Sequence, residues 1–152
     1  MDDARYMDLA LREGEEALAR GDRPVGAVIV KEGFVLCAGQ NRYASANDVL
    51  VHAETDAIQR GTGQHGAQAL IGATLYCTME PCPMCAWAVH LAGIRRLVLG
   101  LRHAAINRTD MGTYSVERFK AMAGCGYELT TGVREAECMA LRRQWGRDSV
   151  AR

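Results

Sequence analysis

The stretch TLYCTMEPCPMCAWAVHLAGIRRLVLG, residues 74–100, decides the fold. Residues 74–78 form a short apolar run of the kind that makes a β-strand, and residues 97–99 are typical of a strand buried on both faces. The segment 82–92 between them predicts a helix, because proline at a helix start removes only an N–H that would have no partner there. The stretch is therefore a strand–helix–strand unit of an α/β fold.

The same alternation of strands and helices continues on both sides of this unit. Apolar residues recur at helical spacing near the N-terminus, and Lys31-Glu32-Gly33 separates two apolar runs as a hairpin turn does. The Gly-rich segment 61–66 predicts a surface loop. We predict helices on both faces of a mostly parallel sheet that the first hairpin makes mixed. The predicted helices are 7–20, 49–60, 82–92, 115–122 and 134–144, and the predicted strands are 25–30, 34–38, 74–78, 97–99 and 127–131.

Length and composition predict one domain, residues 1–152, that is large enough to bury a core without disulfides. Hydrophobic residues make up 49% and charged residues 24%, which are values of globular chains and argue against disorder. No apolar run approaches the roughly 20 residues that a membrane span needs, and the acidic N-terminus is unlike a secretion signal. We therefore expect a cytoplasmic protein whose cysteines are reduced thiols.

The charged residues balance overall but are unevenly placed. The formal net charge is zero, whereas domains that bind phosphate backbones usually carry a basic excess. Residues 81–109 nevertheless contain no acidic residue and include Arg95, Arg96, Arg102 and Arg108. We interpret this segment as a solvated basic face, and a docking surface for an anionic substrate or a nucleic acid is the alternative.

Two short motifs, His52-Ala53-Glu54 and Pro81-Cys82-Pro83-Met84-Cys85, carry the candidate chemistry. One imidazole and two thiolates give three zinc ligands, which suits a catalytic site because structural zinc normally has a fourth protein ligand. Cys82 and Cys85 are three residues apart, so they share one helix face, and the positive end of the helix stabilises their thiolates. We predict one Zn²⁺ per chain, bound by His52, Cys82 and Cys85, with Glu54 as the catalytic acid–base group.

Three other interpretations of these motifs are open. A Cys-x-x-Cys pair at a helix start could be a redox pair, although that leaves His-x-Glu unexplained. Cys77 could complete a structural Cys₃His site, but it lies in an apolar strand and is more typical of a small core residue. The two motifs could also coincide by chance.

The pattern H-x-E…P-C-x-x-C is a signature of zinc-dependent nucleobase deaminases, and the chain resembles the cytidine-deaminase-like superfamily over nearly its whole length. The His-Ala-Glu form with Glu-Pro-Cys-Pro-Met-Cys is similar to the branch of tRNA adenosine deaminases, guanine deaminases and fungal-type cytosine deaminases. Classical small cytidine deaminases have cysteine in the first motif. Gly132-Val133 and Glu137-Cys138 resemble the C-terminal segment of this branch. The resemblance implies a three-layer α/β/α fold with a five-stranded mixed sheet, and a homodimer.

The resemblance also implies substrate contacts. Asn41 matches an asparagine whose amide holds the substrate ring, and the backbone N–H of Ala53 is a further contact; an asparagine beside a glycine is otherwise often a turn residue. Trp145 and Asp148 have the W-x-x-D spacing with which fungal cytosine deaminases close their pocket, and core packing and solvation are the alternatives. Trp87 replaces a small residue, either as core or dimer packing or as part of a changed pocket wall.

One segment departs from the tRNA-acting members of the branch. They carry Gly-Ala-Arg-Asp-Ala-Lys-Thr-Gly where residues 100–107 here read GLRHAAIN, so Lys-Thr-Gly is absent and His103 replaces the aspartate. On this ground the sequence predicts hydrolytic deamination of a free nucleobase or nucleoside with a cytosine-like or guanine-like ring, releasing ammonia. The first alternative is a tRNA wobble-adenosine deaminase. The second is a catalytically inert, zinc-stabilised binding subunit, which the retention of Glu54 disfavours.

Overall fold

The computed structural model describes residues 2–146, which form five strands, five α-helices and two short 3₁₀ turns. Within this range no helix is long and apolar enough to cross a membrane. The elements, in chain order, are α1 Asp3–Arg20, β1 Gly26–Lys31, β2 Phe34–Gln40, α2 Ala53–His65, β3 Thr74–Met79, α3 Pro83–Leu91, β4 Arg96–Leu101, α4 Val116–Ala123, β5 Glu128–Thr130 and α5 Glu135–Trp145, with the 3₁₀ turns at Ala67–Leu70 and His103–Ile106.

The strands form one sheet in the order β2-β1-β3-β4-β5. Strand β1 pairs antiparallel with both β2 and β3, whereas β3 pairs parallel with β4 and β4 parallel with β5. The predicted five-stranded mixed sheet is confirmed. Within the described residues, β2, β3, β4 and β5 run in one direction and β1 runs against them, so the sheet is mostly parallel as predicted and the hairpin makes it mixed.

Two apolar clusters cover the opposite faces of the sheet, because successive side chains of a strand point to opposite sides. Ala27 and Ile29 of β1 pack with residues of α2, α3 and α4. Val28 and Val30 of the same strand pack with residues of α1 and α5. The three-layer α/β/α architecture follows, and it places the N-terminal ends of α2 and α3 on the same side of the sheet.

Helix α2 differs most from its sequence-based prediction. It begins at Ala53 instead of residue 49, and it continues to His65 through the predicted loop. Gly61 is helical and serves close packing, since a Cβ there would lie 2.7 Å from Cys37 Sγ and 2.9 Å from Leu70 Cδ2. The helix ends where Gly66 adopts a φ of +83°, a backbone angle that glycine adopts without strain.

Candidate active site

The three candidate zinc ligands converge at the starts of two neighbouring helices. His52 directly precedes α2, Cys82 directly precedes α3, and Cys85 lies in the first turn of α3. Their ligand atoms all lie within 4.8 Å of one another. We call His52, Cys82 and Cys85 the zinc site.

The spacing of these atoms fits a tetrahedral metal. Nδ1 of His52 is 3.6 Å from Sγ of Cys82 and 3.5 Å from Sγ of Cys85. Bond lengths of about 2.3 Å to sulfur and about 2.05 Å to nitrogen at a tetrahedral angle place nitrogen and sulfur roughly 3.6 Å apart. With three protein ligands, one coordination position stays available for water or substrate.

Close packing and the helix start hold these ligands in place. Gly39 of β2 packs directly on α2, since a Cβ there would lie 2.3 Å from the backbone oxygen of Ala53 and 2.3 Å from the backbone nitrogen of Ala57. This contact fixes the helix start that carries His52. Pro83 is the first residue of α3 and sets the turn that presents both thiols.

The two cysteines of the zinc site have pKa values that are shifted in opposite directions. A hydrogen bond from Cys85 and a further one from His52 lower the pKa of Cys82 to about 4. Because Cys85 is the donor in this pair and is buried, its own pKa lies well above the usual range. A bound zinc ion would deprotonate both thiols, because the thiolate is the form that ligates metal.

Glu54 is buried beside the zinc site, with 4% of its surface exposed. Burial, followed by the charge of Cys82, raises the pKa of its carboxyl group. The thiol of Cys77 donates a hydrogen bond of 3.4 Å to Oε1 of Glu54. Cys77 is fully buried and its pKa is raised, mainly by burial, so it is a neutral donor to Glu54. The metal-ligand group found among residues 2–146 does not contain Cys77, which leaves the alternative of a Cys₃His site without structural support.

The predicted substrate residues have different positions. Asn41 and Ala53 line the same cavity as His52 and Glu54. Asn41 is 3% exposed, and its Oδ1 accepts a hydrogen bond of 3.1 Å from the backbone N–H of Tyr43, so it also forms the turn that its sequence context suggested.

Among the described residues, the lining of the cavity includes neither Trp87 nor Trp145. The ring centroid of Trp145 lies 5.6 Å from the guanidinium of Arg23 and 5.1 Å from that of Arg142, both of which line the cavity. Trp87 is 40% exposed and contacts Phe119 of α4, which favours dimer packing over a pocket wall. Asp148 lies outside the described residues.

Sequence reasoning missed the role of Glu80, the residue before Pro81. Its buried carboxylate accepts hydrogen bonds from Arg102 Nε (2.8 Å) and from the backbone N–H groups of His103 and Val116 (both 3.0 Å). Burial opposes its ionisation, but these hydrogen bonds hold the pKa of Glu80 below its ordinary value. The segment 102–116 is therefore tied to the end of β3, directly before the cysteine motif. Glu80 was recognisable in the sequence only as a helix-start residue.

The arginines of residues 81–109 are largely paired with acidic groups. Arg96 forms a bidentate contact with Asp3 (2.8 and 2.7 Å), and Arg102 binds both Glu80 and Glu117. This pairing supports the interpretation of a balanced basic face for these residues. Arg108 also pairs with an acidic residue, but it lines the cavity.

Comparison with known proteins gives a consistent picture. The family model for the cytidine and deoxycytidylate deaminase zinc-binding region matches residues 1–101. The tRNA-specific adenosine deaminase of Agrobacterium fabrum is 37% identical over 145 residues, covering 94% of this chain and 93% of the relative. A solved structure from a study of A-to-I editing by tRNA deaminases at the wobble position is 37% identical, with a TM-score of 0.78, and covers 90% of this chain and 98% of that one. The guanine deaminase of Bacillus subtilis is 32% identical with a TM-score of 0.67, covering 73% and 71%.

These comparisons overturn the predicted substrate. The expectation of a free cytosine-like or guanine-like base, and with it a small-molecule partner, is wrong, because relatives that align over almost the whole chain are tRNA-specific adenosine deaminases. The missing Lys-Thr-Gly was given too much weight. The segment that replaces it is held to the site by Glu80 and the backbone N–H groups of His103 and Val116, so different side chains can occupy it without removing its connection to the cysteine motif.

The predicted family and cofactor are confirmed, since the matched model is a zinc-binding region and the three ligands fit one zinc per chain. The chain belongs to the cytidine and deoxycytidylate deaminase zinc-binding family within the cytidine-deaminase-like superfamily.

Proposed function

We propose that this chain is a zinc-dependent hydrolytic deaminase that converts adenosine to inosine at the wobble position of a transfer RNA. The convergence of the zinc site and the buried Glu54 in one cavity carries the deaminase part of the proposal. The substrate part is supported by the likeness to a tRNA-specific adenosine deaminase over 94% of this chain.

The residues of the cavity have separable roles in this reaction. Zinc held by His52, Cys82 and Cys85 would lower the pKa of a water at the open position to about 7 and so supply a nucleophile at neutral pH. Glu54 accepts a proton from the attacking water, donates it to the adjacent ring nitrogen, and then assists the departure of ammonia. Water and adenosine are consumed, and inosine and ammonia are formed.

The environment of Glu54 suits this proton transfer. Burial raises the pKa of its carboxyl group towards the working pH, which allows it both to accept and to return a proton. The hydrogen bond from Cys77 fixes Oε1, so the other oxygen remains for the reacting water. Asn41 and the backbone N–H of Ala53 line the same cavity, where we assign them the polar edge of the purine.

The direct test is inosine formation in an anticodon stem-loop that carries a wobble adenosine, with the zinc-loaded protein. We expect the wild type to convert this adenosine and Glu54→Gln to convert it at least ~10²-fold more slowly, while the exposed control Glu15→Gln retains the wild-type rate. Absence of inosine in the wild-type reaction, with zinc bound and the fold intact, would contradict the proposed function.

We also propose that the chain forms a homodimer through the outer side of α3 and α4. Leu91 is 70% exposed, Met122 77% and Ile71 50%, and Trp87 lies one helical turn before Leu91. Exposed apolar side chains that cluster on one surface mark protein–protein contacts, and Ile71 and Leu91 line one surface depression. Light scattering should show a dimer for the wild type and a monomer for Leu91→Asp, whereas Phe34→Asp, an equally exposed site on the hairpin, should remain dimeric. A monomeric wild type would contradict this assignment.

A further inference from the structure

Three arginines from distant parts of the chain line the cavity of the zinc site. Arg23 lies between α1 and β1, Arg108 follows the 3₁₀ turn after β4, and Arg142 belongs to α5. We call Arg23, Arg108 and Arg142 the arginine rim. Because these residues are remote in sequence, only the fold brings their charges together beside a catalytic cavity.

The side chain of Arg23 is not fully hydrogen-bonded within the described part of the chain. Its Nη2 atom is buried and has no hydrogen-bond partner within the described part of the chain. Burial, followed by the charges of Arg108 and Arg142, lowers the pKa of its guanidinium. A buried cationic nitrogen without an acceptor is unfavourable unless an anion or another acceptor reaches it.

The neighbours of Arg23 orient it without neutralising it. The guanidinium carbon lies 5.5 Å from the ring centroid of Tyr43 and 5.6 Å from that of Trp145. Contacts of this length are cation–π interactions, which hold the plane of the guanidinium but supply no hydrogen-bond acceptor. Trp145 also lies 5.1 Å from Arg142, so one indole ring supports two members of the arginine rim.

The carboxylates that line the cavity are engaged elsewhere. Glu80 accepts hydrogen bonds from Arg102 and from two backbone N–H groups, and Glu54 accepts one from Cys77. Asp110, which is outside the cavity lining, accepts two hydrogen bonds of 2.8 and 3.2 Å from Arg108 and so positions that side chain. Beside the deamination site, the cavity therefore presents a guanidinium nitrogen that still needs an acceptor.

We propose that the arginine rim is a phosphate subsite, which binds a phosphate group on the sugar of the nucleoside being deaminated. The planar donor fork of arginine matches phosphate oxygens in a bidentate geometry. Because the arginine rim and the zinc site line one cavity, we assign both to a single nucleotide, with its base at Glu54 and its phosphate at Arg23. The inference rests on the proposed function, under which the bound phosphate is a phosphodiester of the RNA. The phosphate group of a free mononucleotide offers the arginines the same oxygen acceptors.

The test compares RNAs that differ in one charge. Zinc-loaded wild type is titrated by fluorescence anisotropy with the wobble-adenosine stem-loop, and with two versions in which the phosphate 5′ or 3′ of that adenosine is a neutral methylphosphonate. We expect one of the two replacements to weaken binding about 10- to 100-fold, as loss of a charge-assisted hydrogen bond does. Equal binding of all three RNAs would overturn the proposal. This comparison uses only the wild-type protein, so it does not depend on the folding of a variant.

The variants assign the effect to its residue. Arg23→Gln should bind the phosphate and methylphosphonate RNAs equally, whereas Arg12→Gln, an exposed arginine on α1, should discriminate as the wild type does. Zinc content and circular dichroism establish that both variants are folded. Undiminished discrimination in folded Arg23→Gln would exclude Arg23 from the subsite and overturn the proposal.

Experiments with free nucleotides distinguish failure of the phosphate subsite from failure of the proposed function. If the wild type neither binds nor deaminates the stem-loop, the transfer RNA assignment fails, and calorimetric titration with adenosine and adenosine 5′-monophosphate decides the subsite. Tighter binding of the monophosphate that disappears in Arg23→Gln supports a phosphate subsite for free nucleotides. Equal binding of the two compounds overturns it.

Discussion

The zinc site and the arginine rim share a cavity but arise from the chain in different ways. The ligands of the zinc site lie in two short motifs, each at a helix start, whose residue types already indicate their chemistry. The members of the arginine rim are single arginines in a turn, a loop and a helix, and each alone is typical of a surface. The comparison indicates that the metal ligands are encoded locally, whereas the proposed phosphate subsite is assembled by tertiary structure.

Removal of a zinc ligand should have the largest effect, because it changes zinc content, activity and stability together. Cys82→Ser should lose zinc and all activity and should unfold at a lower temperature, because the ion links the starts of α2 and α3. Elemental analysis and thermal denaturation measure both changes. Cys125→Ala, which removes a buried thiol that does not belong to the metal-ligand group, should keep one zinc per chain. Full zinc occupancy in Cys82→Ser would contradict the assigned ligand set.

Loss of the Glu54 carboxylate beside the zinc site should have the second-largest effect, which falls on turnover. Glu54→Gln should retain zinc and the fold but lose turnover by at least ~10²–10⁴-fold, as expected for a general acid–base group. Stopped-time inosine assays on zinc-quantified protein measure the loss. Activity near that of the wild type would show that another group transfers the proton.

Glu80 ties the segment 102–116, which carries Arg108, to the end of β3 directly before the cysteine motif, and its substitution tests this connection. Glu80→Gln leaves Arg102 without its buried partner and should lower the free energy of unfolding by about 3 kcal/mol, a usual figure for a broken buried charge pair. Glu117→Gln is the matched control, because Glu117 binds the same Arg102 from a 55% exposed side chain and should cost under about 1 kcal/mol. Chemical denaturation of both variants tests this, and equal losses would contradict the anchoring role of Glu80.

The smallest effect concerns the contact to the ring. Asn41→Ala should lower kcat/KM by an amount that corresponds to about 1–3 kcal/mol of lost transition-state stabilisation, because it leaves a polar atom of the ring unpaired. The exposed amide control Gln64→Ala should leave kcat/KM unchanged. If the two variants have the same activity, Asn41 serves the turn at Tyr43 and not the substrate.

Much of the fold and the zinc site could be predicted from the sequence because the determining forces are local. Apolar runs mark β3 and β4, Pro83 marks the start of α3, and residue type selects the metal ligands. The extension of α2 through Gly61 could not be predicted, because it depends on tight packing against Cys37 and Leu70, which lie far from it in sequence.

The substrate could not be predicted for a related reason. The prediction gave weight to the side chains at positions 103 and 105–107, whereas Glu80 holds this segment through hydrogen bonds from the backbone N–H groups of His103 and Val116. Arg23 and Arg142 are separated by most of the chain, and no periodicity or motif joins them. Their proximity is a property of the sheet and of the packing of α5, which spacing rules do not describe.

The most direct test of the division between chemistry and recognition is the separate measurement of kcat and KM on the wobble-adenosine stem-loop for Glu54→Gln and Arg23→Gln. We expect Glu54→Gln to lose kcat with little change in KM. We expect Arg23→Gln to raise KM by about tenfold or more with little change in kcat, as for a group that binds ground state and transition state equally. A loss of kcat in Arg23→Gln as large as that in Glu54→Gln would contradict this division.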